Sequence, residues 1–74
     1  MPPLPVISGD DAIRAFGRAG WVVKRHRGSH VMMVKPGMRV TLSVPQHKEL
    51  DRGTLRSLIS DSGLTVEEFI ELLD

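Results

Sequence analysis

The sequence predicts an α+β fold: a three-stranded antiparallel sheet with helices packed on one face, in the order α-β-β-β-α-α. Three observations carry this reading. Apolar residues recur at helical spacing between capping residues, early in the chain and again in its last third. The middle holds three short apolar runs with the composition of strands. Two turn signals, Arg27-Gly28-Ser29 and Pro36-Gly37, separate those runs and fold them into a meander. Such a meander needs helices on one face to form a core.

The elements follow in order. Residues 1–7 read as an extended arm, because Pro2, Pro3 and Pro5 oppose a helix. Ser8 is an N-cap, with Asp10 and Asp11 in the first turn, where carboxylates favour the helix dipole. Ala12, Ile13, Phe16 and Ala19 line one face of a helix over residues 9–19, and Gly20 stops it. Residues 21–26 form the first strand and residues 30–35 the second, with Gly28 free to take a positive φ between them. The second strand is apolar at both parities from Val31 to Val34, so periodicity leaves its buried face open. Pro36-Gly37 occupies the central positions of a type II turn. A third strand spans residues 38–44, where Met38, Val40, Leu42 and Val44 alternate with Arg39, Thr41 and Ser43; Pro45 ends it. Asp51 caps a helix over residues 52–62 whose apolar face is Leu55, Leu58 and Ile59, closed by Gly63. Thr65-Val66-Glu67-Glu68 is a capping box that opens a last helix carrying Phe69, Ile70 and Leu73.

With 74 residues the chain is sized for one domain, residues 1–74, without an internal repeat or linker. It has no cysteine, so disulfides and thiolate metal sites are excluded. The N-terminus lacks the basic and apolar regions of a signal peptide, and no apolar run approaches the ~20 residues of a membrane span. A cytoplasmic protein with no membrane partner is the expectation.

Net charge is +1, but its distribution is uneven. Residues 21–48 carry Lys24, Arg25, Arg27, Lys35, Arg39 and Lys48 with no acid, and all three histidines lie there. Residues 49–74 are acidic in balance, with Arg52 and Arg56 against seven carboxylates. A basic zone of this kind raises the local concentration of a polyanion such as RNA; the plainer reading is a solvated hairpin balanced by acidic helices. Its densest part is Lys24-Arg25-His26-Arg27-Gly28-Ser29-His30, set between two apolar runs. A turn there places His30 at the mouth of the second strand, beside cations. That suits a group handling protons next to a phosphate. His26 and His30 stand four apart, which clusters ligands on a helix but not here. No acid lies within residues 12–48 to complete a metal site, so neither a metal nor any other cofactor is expected. Trp21 reads as core. Met32 and Met33 put apolar surface on both sheet faces, and one face is available to a protein partner or a second copy of the chain, a homo-oligomer.

The ordered set of motifs resembles the HicA-type toxins of toxin–antitoxin pairs, small mRNA endonucleases with a fold like that of the double-stranded-RNA-binding domain (dsRBD-like). The matching pieces are Gly20-Trp21 after the first helix, Arg27-Gly28-Ser29-His30, then Val40-Thr41 through Val44-Pro45 to His47, and Lys48-Glu49-Leu50. Gly53-Thr54-Leu55-Arg56 and the ending Ser62-Gly63-Leu64-Thr65-Val66-Glu67-Glu68-Phe69 complete it, covering residues 8–73. The chain departs from the family at Asp51-Arg52, where Lys-Pro is common, and at His26, where Gln is common.

The resemblance implies that His30 is the catalytic residue. The chemistry is compatible: RNA supplies its own nucleophile, the 2′-hydroxyl, and an imidazole titrates near neutral pH and can take or give that proton. His26 and His47 are candidates for a second proton carrier, although exposed loop histidines are common. Lys24, Arg25 and Arg27 are expected on the phosphate backbone, with only some facing the RNA because strand residues alternate. Gly28 and Ser29 can offer backbone N–H groups to a phosphate, beside their role as turn residues. His47 and Lys48 join this RNA-contact set. The helix start at Gly53, Thr54 and Arg56 reads better as a cap than as an anion site. The implied partners are mRNA and a cognate HicB-type antitoxin covering the His30 region. A non-catalytic RNA-binding module and a protein-interaction domain compete with this reading.

Overall fold

The computed structural model describes residues 3–74, so Met1 and Pro2 of the expected arm lie outside the described residues. Residues 3–8 have no regular structure, but Leu4 is buried in the core and Ile7 packs against it. Helix α1 (Gly9–Arg18) starts at Ser8. The Ser8 hydroxyl accepts from the Asp11 N–H at 3.1 Å, and the Asp11 carboxylate accepts from the Ser8 N–H at 3.4 Å, so two otherwise orphaned donors are satisfied. Ala12, Ala15 and Phe16 form its buried face.

The sheet is the expected meander. Strands β1 (Val22–Arg27), β2 (His30–Val34) and β3 (Leu42–Pro45) are antiparallel neighbours in the order β1-β2-β3. Val31 and Met33 of β2, with Leu42 and Val44 of β3, face the helices and are buried, which settles the face that periodicity left open. Trp21 is core, as expected, at 2% exposure. Strand β1 is different: all six of its residues are exposed, because α1 and α2 (Arg52–Ser62) pack on the β3 side of the sheet.

The third strand departs from the expectation of residues 38–44. The Pro36-Gly37 turn does form: Gly37 has φ 85° and the Met38 N–H donates to the Lys35 carbonyl at 3.0 Å. A turn of this hand splays the strands that it joins instead of following their twist. Residues 38–41 therefore leave the ladder, and pairing resumes with Leu42 across from Met33. Met38 and Val40, placed by alternation on the core face, are 36% and 40% exposed.

The C-terminal helices follow their caps. The Asp51 carboxylate accepts from the N–H groups of Gly53 and Thr54, and Gly63 closes α2 in the left-handed conformation at φ 80°. Leu55, Leu58 and Ile59 are its buried residues, as the spacing required, with Ser62 joining them. Helix α3 (Val66–Glu71) opens with the Thr65–Glu68 capping box and buries Phe69, whose ring lies 5.0 Å from that of Phe16. That contact ties the last helix to the first across the core.

Candidate functional site

The β1–β2 hairpin turns on two residues, Gly28 and Ser29. Gly28 has φ 58° and Ser29 does not have a positive φ, the pattern of a type II′ turn with glycine first, whose twist matches the strands. Nothing lies within 4 Å of a Cβ placed on Gly28, so it is the backbone conformation, and not crowding, that calls for glycine there. The turn fixes Arg27 directly across from His30. Directly paired residues of an antiparallel ladder point to the same face. His30 and Arg27 thus share the solvent face, and both are exposed.

A bulge decides which other cations join them. Val23 pairs with Met33 and Arg25 with Met32, leaving Lys24 as an extra residue in β1. Trp21 and Arg27 are an even number of residues apart and would share a face in an unbroken strand. The bulge reverses the alternation, so Trp21 is buried while Arg25 and Arg27 stand on the face of His30. Val22, across from Val34, and Arg25, across from Met32, continue this outer face along β1. His26 pairs with the buried Val31 and so lies on the opposite side of the sheet from His30.

On its other side His30 pairs with Pro45, the last residue of β3. The Gln46 N–H donates to the Ser29 carbonyl at 2.7 Å, extending the contact by one residue and fastening the connector between β3 and α2, residues 46–50, to the turn just ahead of His30. The Gly9 N–H donates to the His47 carbonyl at 2.9 Å, and the Gln46 side-chain amide donates to Asp10 Oδ1 at 3.1 Å. The N-terminus of α1 thereby holds the connector in place. His47 is exposed there, and Lys48 is exposed in the bend that follows.

The structure therefore gathers Arg25, Arg27, Gly28, Ser29, His30 and the start of the connector at His47 around one end of the sheet. Lys24 is displaced by the bulge and His26 lies on the other face. Sequence reasoning gave Asp10 only its place in the first turn of α1 and passed over Gln46; no local signal marks the bond between them, because it joins distant parts of the chain. Among the described residues the ion pair present is Arg14 with Asp11, so the hairpin cations have no carboxylate partner. Their field is left to act on whatever approaches the outer face. Among the described residues no three His, Cys, Asp or Glu side chains are grouped to hold a metal ion.

The family model described as HicA toxin of bacterial toxin–antitoxin matches residues 9–64, which include α1, the whole sheet, the connector and α2. The chain belongs to the HicA toxin family. A solved chain from a "Toxin-Antitoxin complex from Streptococcus pneumoniae" is similar to this HicA-family protein at 29% sequence identity and a TM-score of 0.69, covering 78% of this chain and 98% of that one. No curated protein sequence matches. The fold is accordingly the dsRBD-like α+β arrangement of the family, with the matched region ending just before α3. Among the described residues no helix is long and apolar enough to cross a membrane.

Proposed function

We propose that this HicA-family toxin is an mRNA endonuclease in which His30 acts as general acid/base on the RNA 2′-hydroxyl, without a metal. Residues 1–74 serve as one RNA-binding and catalytic domain working in the cytoplasm. The observation that carries the reading is the pairing of His30 with Arg27 across the II′ turn, on an exposed face that Arg25 extends. His30 removes the 2′-hydroxyl proton, the 2′-oxygen attacks the adjacent phosphorus, and the bond to the 5′-oxygen breaks as that oxygen takes up a proton. The products are a 2′,3′-cyclic phosphate and a 5′-hydroxyl. Arg27 and Arg25 neutralise charge that builds on the phosphoryl oxygens, and the Gly28 and Ser29 N–H groups are available to the same phosphate. Lys24 and Lys48 contribute attraction to the RNA backbone without sequence choice. The acidic balance of residues 49–74 repels RNA from the helical side, so the RNA enters over the hairpin.

The partner that restrains this activity is a HicB-type antitoxin covering the His30 face. Two facts support it: the similar pneumococcal chain comes from a toxin–antitoxin complex, and the outer face mixes exposed cations with Val22, which is 55% exposed.

The test is cleavage of a labelled mRNA in EDTA by the free protein and by a His30→Ala variant matched for folding by circular dichroism. Fragments from the wild type alone are expected. RNA bound but uncut by free, folded wild-type protein would replace the nuclease with a non-catalytic RNA-binding module. Equal cleavage by both proteins would remove His30 from the chemistry. RNA affinity absent even at low salt would favour a protein-interaction domain instead.

A further inference from the structure

We infer that His47 is the general acid of the same site, protonating the departing 5′-oxygen while His30 takes the proton from the 2′-hydroxyl; this rests on the nuclease reading above. Cleavage of the phosphodiester needs two proton transfers on opposite sides of the phosphorus. One imidazole must begin neutral and accept the 2′ proton, and a second must begin protonated and give one to the 5′-oxygen as its bond to phosphorus breaks. After one turnover the two have exchanged protonation states, and exchange with water resets them. His30 supplies one of these groups, and the other must share its face.

The sheet decides between the two remaining histidines. His26 pairs with the buried Val31 and stands on the helix side, so it cannot meet a phosphate that lies against His30. His47 is placed by four contacts. Pro45 is directly across from His30, and the Gln46 N–H to Ser29 carbonyl bond carries the pairing one residue further. The Gln46 side chain is drawn to the helix side by its bond to Asp10 on α1. Neither a turn nor a bend interrupts the backbone at Gln46 or His47, and the chain bends at Lys48. Successive side chains of an extended segment point to opposite faces. With Gln46 directed toward the helices, His47 is directed to the outer face, where His30 stands. The Gly9 N–H to His47 carbonyl bond fixes that residue's backbone.

The spacing fits the task. His47 is two residues past the direct partner of His30, and such diagonal neighbours lie about 7–8 Å apart, still within reach of ring side chains. That leaves room for a phosphate between the imidazoles, each at a hydrogen-bonding distance of about 2.6–3.2 Å from the oxygen it serves. The charged groups around this gap are Arg27 and Arg25 from β1, Lys48 next after His47 in the chain, and Asp10, bonded to Gln46. The cations bind the phosphate, while Asp10 Oδ1 accepts from the Gln46 side-chain amide.

A substrate with sulfur in place of the bridging 5′-oxygen separates this role from RNA binding, because a thiolate leaves without being protonated. His47→Ala is expected to slow cleavage of ordinary RNA by about 10²- to 10⁴-fold. It should cleave the 5′-phosphorothiolate RNA at the wild-type rate. His30→Ala is expected to be impaired on both substrates. His47→Ala impaired equally on both, or on neither, overturns the assignment to His47 and leaves His30 standing. Wild-type protein that cleaves neither substrate, or a His30→Ala variant that cleaves both normally, refutes the nuclease reading itself and this inference with it.

Discussion

One substitution made twice in the same helix tests how the site is held. Gly9 and Gly17 both lie in α1, and each is to be replaced by alanine. At Gly9 a Cβ would fall 1.9 Å from the Pro45 carbonyl oxygen and 3.0 Å from the Gln46 Cα, where contacts below 3.0 Å are essentially never seen. To admit the methyl group, the start of α1 and the end of β3 must separate by about 1 Å, a backbone movement of the kind that overpacking a tight interior imposes. Overpacking costs roughly 1–3 kcal/mol. Loss of the Gly9 N–H to His47 carbonyl bond adds about 1 kcal/mol, for a total near 2–4 kcal/mol. At Gly17 nothing lies within 4 Å of the new Cβ and the backbone is helical, so alanine should stabilise by about 0.5–1 kcal/mol through chain entropy alone. Urea titrations followed by circular dichroism measure both. In thermal melts each kcal/mol should appear as a shift of about 4–8 °C at this size. A Gly9→Ala protein as stable as the wild type would refute the close approach of α1 to the connector, and with it the fixed placement of His47. Equal losses at both positions would mean that helix dynamics, and not contact with Pro45, governs the result.

Two further outcomes are expected. Arg27→Ala should leave stability within about 0.5 kcal/mol, because the side chain is exposed and makes no ion pair, while RNA affinity falls and the slope of log affinity against log salt decreases by about 1; an unchanged slope would take Arg27 off the RNA. The Asp11 carboxyl is held below the ordinary 3.8, first by its hydrogen bond from the Ser8 N–H, then by the Ser8 hydroxyl, with the Arg14 charge adding to this. A lowered folded-state value means that Asp11 contributes stability above the unfolded value and loses it as pH falls through the folded one. The wild type's advantage over Asp11→Ala in urea midpoint should therefore be full at neutral pH and shrink as pH drops from about 4. An advantage unchanged over that interval would remove the capping carboxylate from the account.

The helix boundaries were legible because their determinants are local. Ser8, Asp51 and the Thr65–Glu68 pair act within a few residues of themselves, and so do Gly20 and Gly63. The sheet was legible in strand order and in the hairpin turn, which Gly28 requires. Its register was not. Met38 and Val40 alternate with polar neighbours as a strand should, yet whether they pair depends on how the Pro36-Gly37 turn meets β2, and alternation carries no information about a partner. His30 stood out through its neighbours in sequence. The faces of Arg25, Arg27 and His26 could not be read, since an extra residue at Lys24 inverts them. The same limit hid the bond between Gln46 and Asp10, thirty-six residues apart and joined only by folding.

The bulge at Lys24 makes β1 a strand of two halves in opposite phase. The first half keeps time with Trp21 and the core, and the second keeps time with the turn and His30. A break in phase insulates one from the other. A shift of register that starts near Trp21 can be absorbed at Lys24 before it reaches Arg25, so core packing is free to vary without rotating the cations out of the site. The same break in phase lets a load on the hairpin tip be taken up before it reaches the core. The phase of the core and the phase of the site thus share six consecutive residues.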